Sequence, residues 1–289
     1  MHQENRLKFR SFILTSLLSL SFSIQAAECP QHFAGGQTPV IVNQKLAPST
    51  RELCNQGFAL LHSGITKTAL WSAEHLTRER LNSARGLTRT NSFHPDDNLT
   101  HGERAELKDY ARSGYDRGHM APSGDMPSAS AQEESFSLAN MIPQDPNNNR
   151  NLHEGIESAV RTYVKDKGEL YVITGPIFDG SSLQRIGGRV LVPTHVFKAI
   201  YDPSRHVAGA YIENNAPGME YQAVTIAELE KRIGINLFPG MDQRTKDNGM
   251  KLPAPTPHGY GNRSEGGHEG HTSHVSAAQL MKTIGYAFR

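Results

Sequence analysis

The sequence predicts an α+β domain, and three observations carry that expectation. Strand-like and helix-like apolar periodicities both occur, but they do not alternate in the regular order that a doubly wound parallel sheet requires. There is no internal repeat. Setting residues 1–27 apart from the 289-residue chain leaves about 262 residues, and a chain of that size buries ~75% of the surface that its unfolded form exposes, enough for one large domain with a real core.

The elements follow in order. Residues 1–10 are basic, and an apolar, Ser-rich run of 14 residues from Ser11 to Ile24 precedes Ala26-Ala27. A basic start, a short apolar stretch and small residues read as a secretory signal peptide over residues 1–27. The run is shorter than the ~20 residues of a comfortable membrane span; an uncleaved anchor is the alternative. The expected protein is therefore exported, periplasmic or extracellular, with no membrane segment after cleavage. Residues 28–56 read as an extended N-terminal arm punctuated by Pro and Gly, and it holds both cysteines, Cys29 and Cys54. In an oxidising compartment these favour a Cys29–Cys54 disulfide over two free thiols, worth ~3 kcal/mol in the chain-entropy model.

Residues 57–250 are the expected catalytic-scale domain. Residues 57–62 and 67–75 form a hairpin around Ser63-Gly64. Residues 76–113 are polar, with His94-Pro95-Asp96-Asp97 as a loop signal, and residues 131–138 suit a short helix. In residues 151–165, Leu152, Ile156, Ala159, Val160, Tyr163 and Val164 recur at three- and four-residue intervals, which predicts an amphipathic helix ended by Gly168. Strands are expected over residues 170–178, 190–201 and 207–213. A second helix is expected over residues 225–233, with Thr225 and Glu228 at the capping-box spacing. Residues 251–289 open with a Pro/Gly/His-rich loop holding His258, His268, His271 and His274, then resume a helix-like pattern. The histidines lack the four-residue spacing of a helical metal site, so a loop that binds transition metals weakly is favoured over a ligand set.

Charge narrows the partners. The whole chain has 30 basic and 29 acidic residues. Residues 1–27 hold Arg6, Lys8, Arg10 and Glu4, so the remainder carries 27 against 28. Bulk electrostatic attraction to long nucleic acid is thereby excluded; any attraction to phosphate has to be focused in a cleft.

Asp116-Arg117-Gly118-His119-Met120-Ala121-Pro122 is where such focusing is legible. Arginine presents a planar, permanently charged fork to phosphate, and histidine titrates nearest neutrality and so serves as a base. The glycine allows a close approach of backbone or a positive φ. Two further blocks follow: Ala139-Asn140-Met141-Ile142-Pro143-Gln144-Asp145-Pro146, and an asparagine run, Asn147-Asn148-Asn149-Arg150-Asn151, which leads into the helix carrying Glu157. Amide and carboxylate oxygens are hard donors suited to a hydrated Mg²⁺, which takes few protein ligands.

With these three blocks in order, the sequence resembles the DNA/RNA non-specific endonucleases, the group of Serratia-type secreted nucleases and endonuclease G. The resemblance runs from about Cys54 to Pro239 and takes in Gly175-Pro176-Ile177-Phe178 and the Glu228…Phe238-Pro239 ending. It implies a ββα-metal (His-Me finger) fold with a central antiparallel sheet. It implies His119 as general base, Asn149 as direct Mg²⁺ ligand and Glu157 as holder of the metal's waters. Arg117 would neutralise the phosphate, Arg89 would be a second phosphate-binding arginine in a loosely matched block, and Asp116 would orient its neighbours. Mg²⁺ is the implied cofactor, with Mn²⁺ or another divalent ion substituting. The implied reaction is sequence-independent hydrolysis of DNA and RNA to 5′-phosphate and 3′-hydroxyl ends, and dimers occur in the family. The metal block departs from the family's usual Leu-Asn-Gln, so Asn148 remains a second candidate for the ligand. Two other functions are weighed against catalysis: a silent nucleic-acid-binding module on the same fold, and metal buffering by the His-rich loop.

Overall fold

A computed structural model describes residues 28–255. The expected signal peptide and the His-rich stretch with the helix after it lie outside the described residues. No helix among the described residues is long and apolar enough to cross a membrane.

The N-terminal arm is more structured than its punctuation suggests. After short turns it forms β1 (Val40–Ile41) and β2 (Thr50–Cys54). The Cys29–Cys54 disulfide joins the start of the arm to the end of β2, with Cα atoms 5.8 Å apart. The expected hairpin forms as β3 (Ala59–Ser63) and β4 (Thr68–Thr77), antiparallel, with a bulge between Leu61 and His62. The polar run that follows starts with a helix, α1 (Arg78–Ala84), where no helix is expected from the sequence. Its apolar stripe is reduced to Leu81, but Thr77 caps it by accepting from the Arg80 amide, and a cap of this kind supports a short helix without amphipathicity. A one-turn helix, α2 (Leu107–Tyr110), precedes β5 (Asp116–His119).

Beyond β5, α3 (Ala129–Ser135) and β6 (Met141–Gln144) lead to a π-helical turn at Asn148–His153, and that turn runs into α4 (Glu154–Lys167). The remaining elements are β7 (Glu169–Ile177), the small pair β8 (Arg185–Ile186) and β9 (Val190–Leu191), β10 (His195–Asp202), β11 (Val207–Asn214), β12 (Tyr221–Val224), α5 (Ile226–Ile233), β13 (Ile235–Asn236) and α6 (Gln243–Asp247). The expected single strand over residues 190–201 is two, because Pro193 separates β9 from β10 and lacks the N–H a ladder needs. The Thr225–Glu228 capping box is present in full.

Seven strands make one antiparallel sheet in the order β12-β11-β10-β7-β4-β3-β2. One face packs on the arm and α5 through Phe33, Trp71, Ile173, Phe197, Ile212 and Leu229. The other face receives α4, whose Leu152, Ile156, Val160 and Val164 meet Leu76, Leu170, Val172, Ile200 and Tyr211. A separate antiparallel ribbon, β5–β6, sits against a third apolar cluster that includes Met120, Met126 and Ile142. The expected α+β class with a central antiparallel sheet flanked by helices is what the chain adopts.

Candidate active site

The ribbon positions the motif. Successive side chains of a strand point to opposite faces, so Arg117 and His119 share one face and both line a cleft of ≈ 470 Å³. Asp116 and Gly118 face the other way. A Cβ at Gly118 would lie 1.9 Å from Gln144 Oε1 and 2.7 Å from its Cβ, so the glycine is required by close approach of the opposing strand; its φ is not positive. Asn140 then clamps the chain beyond His119. Its Oδ1 accepts from the Ala121 amide at 3.0 Å and its Nδ2 donates to the Ala121 carbonyl at 2.9 Å.

The cleft gathers Arg89, Arg117, His119, Asn149 and Glu157 from four separate parts of the chain. Asp116 stands beside it and accepts from Asn149 Nδ2 at 2.9 Å and from both arms of Arg150, at 2.8 and 2.6 Å. Burial pushes the Asp116 carboxyl up, but Arg150 and Asn149 outweigh it and hold the group below its ordinary value. Because a carboxylate only accepts, Asn149 must turn its nitrogen to Asp116, and its Oδ1 is the donor atom left for the cleft. Asn148 is different: it is fully buried, its Oδ1 accepts from Gln144 at 2.7 Å and its Nδ2 donates to Glu213 at 3.0 Å. The cleft is lined by Asn149 and not by Asn148.

His119 is 9% exposed, and among the described residues neither ring nitrogen bonds to another protein group; Nε2 is buried. Its ring stands edge-on to Phe136, at 4.9 Å and 84°, and tilted to Phe93 at 5.7 Å. Burial first, then the charge of Arg89, pulls the imidazole down to about 3, against an opposing pull from Glu157. The ring is thus neutral near pH 7, with a lone pair to accept a proton.

Four arginines line the cleft in two kinds. Arg150 is held by Asp116, and Arg161 is held by Asp125 and by Glu157 Oε2, the latter at 3.1 Å. Arg89 and Arg117 have no carboxylate partner among the described residues. Arg89 donates to Asn91 and Ser123 and lies 5.2 Å from the Phe136 centroid. Arg117 lies 4.1 Å over the Phe93 ring, a cation–π contact that orders the fork without neutralising it. These two are the cations free to meet an incoming anion.

Glu157 sits between cations. His153 Nε2 lies 3.4 Å from its Oε1, and Arg161 donates to its Oε2. Burial raises the Glu157 carboxyl, but His153 and Arg161 outweigh that and bring it to about 2. Asn149 Oδ1 and the Glu157 carboxylate are hard oxygen donors on one cleft. Among the described residues no three His, Cys, Asp or Glu side chains group as a full metal cage. An amide oxygen and a carboxylate suit a hard, mostly hydrated divalent cation.

The sequence reading missed Arg150, His153, Arg161 and Glu213. Arg161 had a signal, since it stands four residues after Glu157, on the same helical face. Glu213 had none, because it comes from a strand outside all three blocks.

Fold and cleft together define a ββα-metal nuclease. The chain belongs to the DNA/RNA non-specific endonuclease family, whose description matches residues 37–244. It is 34% identical over 199 residues to the mitochondrial nuclease EXOG of Danio rerio, 32% over 211 residues to nuclease C1 of Cunninghamella echinulata, and 36% over 215 residues to the mitochondrial nuclease 1 of Schizosaccharomyces pombe. Those matches span 62%, 66% and 66% of this chain, and 58%, 83% and 67% of the respective relatives. A crystal structure of an EndoG/EndoGI complex superposes with a TM-score of 0.60 at 26% identity, covering 68% of this chain and 88% of that one.

These relatives correct one expectation. A periplasmic or extracellular location is overturned, because relatives in zebrafish, fission yeast, nematode and cattle are mitochondrial nucleases. A basic N-terminal stretch is common to secretory leaders and mitochondrial transit peptides, so it does not by itself decide the compartment.

Proposed function

We propose that this protein is a divalent-metal-dependent endonuclease that hydrolyses phosphodiester bonds of DNA and RNA without sequence preference, leaving 5′-phosphate and 3′-hydroxyl ends. The observation that carries the reading is one cleft holding a neutral His119 beside Arg89 and Arg117, none of which has a carboxylate partner among the described residues. Arg89 and Arg117 bind the scissile phosphate and lower its negative charge. His119 takes the proton of the attacking water, which its neutral ring is free to do. Asp116 holds Asn149 so that Oδ1 faces the cleft, and His153 and Arg161 keep Glu157 ionised and fixed. Asn149 directly, and Glu157 through water, would hold Mg²⁺. When bound, that ion supplies Lewis-acid stabilisation of the charge developing on the phosphate and the leaving oxygen.

Substrate attraction is local in this scheme. The chain outside residues 1–27 is nearly neutral, so the fields that matter are those of the two uncompensated arginines. The test is degradation of supercoiled plasmid and of RNA by purified protein with Mg²⁺, with and without EDTA. Cleavage of both that EDTA abolishes is expected; retention of DNA without cleavage would establish the silent binding module instead.

A further inference from the structure

The α4-side face of the sheet carries buried polar residues where an apolar row is expected. Glu74, Thr174, Lys198 and Glu213 come from β4, β7, β10 and β11 and are each at most 2% exposed. Glu74 pairs with Arg80 at 3.0 Å and Lys198 donates to Thr174 at 2.6 Å. Glu213 does something different, because both its partners belong to the π-helical turn at Asn148–His153. Its Oε2 accepts from Asn148 Nδ2 at 3.0 Å, and its Oε1 accepts from His153 Nδ1.

Those two residues are the first and last of the turn. One buried carboxylate therefore pins both ends of an irregular segment to the rigid centre of the sheet. Asn149 lies immediately inside one end. At the other end, the second ring nitrogen of His153 stands 3.4 Å from Glu157 Oε1, an ion-pair contact and not a hydrogen bond. A π-turn is uncommon and frequent at functional sites; here both its ends bond to one strand residue, Glu213, which lies 65 positions from Asn148 and 60 from His153.

We propose that Glu213 is a positioning residue that sets the amide and the carboxylate sides of the metal-binding end of the cleft together. The inference rests on the nuclease reading, since it assigns a purpose to Asn149 and Glu157. Glu213 does not touch the cleft itself. Arg89, Arg117 and His119 are held by other contacts, from Phe93, Phe136, Ser123 and the β5–β6 ribbon. Loss of the Glu213 carboxylate should loosen metal affinity and leave substrate affinity alone, a split that a purely structural defect would not give.

The test uses the full chain and Glu213→Gln, with free Mn²⁺ measured by electron paramagnetic resonance and plasmid cleavage measured separately. The expected result is a Kd for Mn²⁺ about tenfold weaker, the scale found when outer partners of metal ligands are removed. A lower kcat at fixed metal and an unchanged KM for DNA should accompany it. A folded Glu213→Gln protein that binds Mn²⁺ as tightly as wild type, beside an active wild type, overturns this inference and leaves the nuclease reading intact. A wild type that binds Mn²⁺ but cuts neither DNA nor RNA overturns the nuclease reading instead, and the inference with it. If Glu213→Gln does not fold by circular dichroism, His153→Gln cuts the same path at its helical end and decides by the same Kd.

Discussion

The two faces of the seven-stranded sheet are built from the same strands and filled with opposite chemistry. Toward the arm and α5 the strands present Trp71, Ala73, Ile173, Phe197, Ala199, Ala210 and Ile212. Toward α4 the same strands present Glu74, Thr174, Lys198 and Glu213 among their apolar residues. Charges taken out of water destabilise a fold unless each is paired and bonded. On the α4 face Glu74 meets Arg80, Glu213 meets His153 and Asn148, and Glu157 meets His153 and Arg161, while Lys198 donates to the Thr174 hydroxyl and burial raises the Glu74 carboxyl to about 8. The apolar face holds the sheet together, and the polar face holds the cleft in shape. The buried charges around the cleft thus share the α4 side with an apolar cluster, and the other side packs an apolar cluster against the arm and α5.

That division can be broken by experiment. His119→Ala should lower cleavage by roughly 10²–10⁴-fold, the range for loss of a general base, with a melting midpoint near that of wild type. Plasmid cleavage and calorimetric melting check both; activity within tenfold of wild type would remove the proposed base. Trp71→Ala, on the apolar face, should cost ~3–5 kcal/mol of stability. Its kcat and KM, measured well below its melting point, should stay close to wild type. A kcat that collapses in this variant would show that the two faces are not separate.

Smaller effects sharpen the contrast within the cleft. Arg117→Ala should raise KM for DNA by roughly tenfold or more, since charge-assisted hydrogen bonds contribute ~1.5–3 kcal/mol. Its salt dependence should flatten by about one phosphate contact. Arg150→Ala, whose fork is already occupied by Asp116, should change KM far less. A further effect is on stability against pH. Burial pushes the His153 imidazole down, but Glu213 and Glu157 outweigh it and raise it from 6.5 to about 9. A group raised on folding contributes stability that is complete below its unfolded value and is lost as pH rises through its folded one. The melting midpoint should therefore fall as pH climbs from about 6.5 through about 9, and that slope should be missing in His153→Gln.

Local chemistry was legible wherever it is local. Alternation along β5 puts Arg117 and His119 on one face whatever the rest of the fold does. Thr225 and Glu228 close a capping box within a single turn. The hairpin of β3 and β4 follows from two apolar runs and a turn. The helix α1 was not legible because only Leu81 of its residues is buried, and the β9–β10 break was hidden inside a continuous apolar run. The choice between Asn148 and Asn149 was also out of reach of composition, since adjacent asparagines are chemically identical until something binds one of them.

The sequence by itself determined the family, the ribbon that carries the base and the arginine, and the spacing of an amide and a carboxylate suited to a hard cation. Those depend on residue order within one strand or one helix. Only the tertiary structure decided which asparagine is spent on the scaffold, which arginines keep their charge uncompensated, and which strand residue braces the π-turn. Each of those is settled by a partner from another part of the chain: Asp116 for Asn149, Phe93 for Arg117, and Glu213 for Asn148 and His153. A side chain's availability depends on who else has claimed its hydrogen bonds, and long-range pairing settles that only once the sheet and helix have closed on each other.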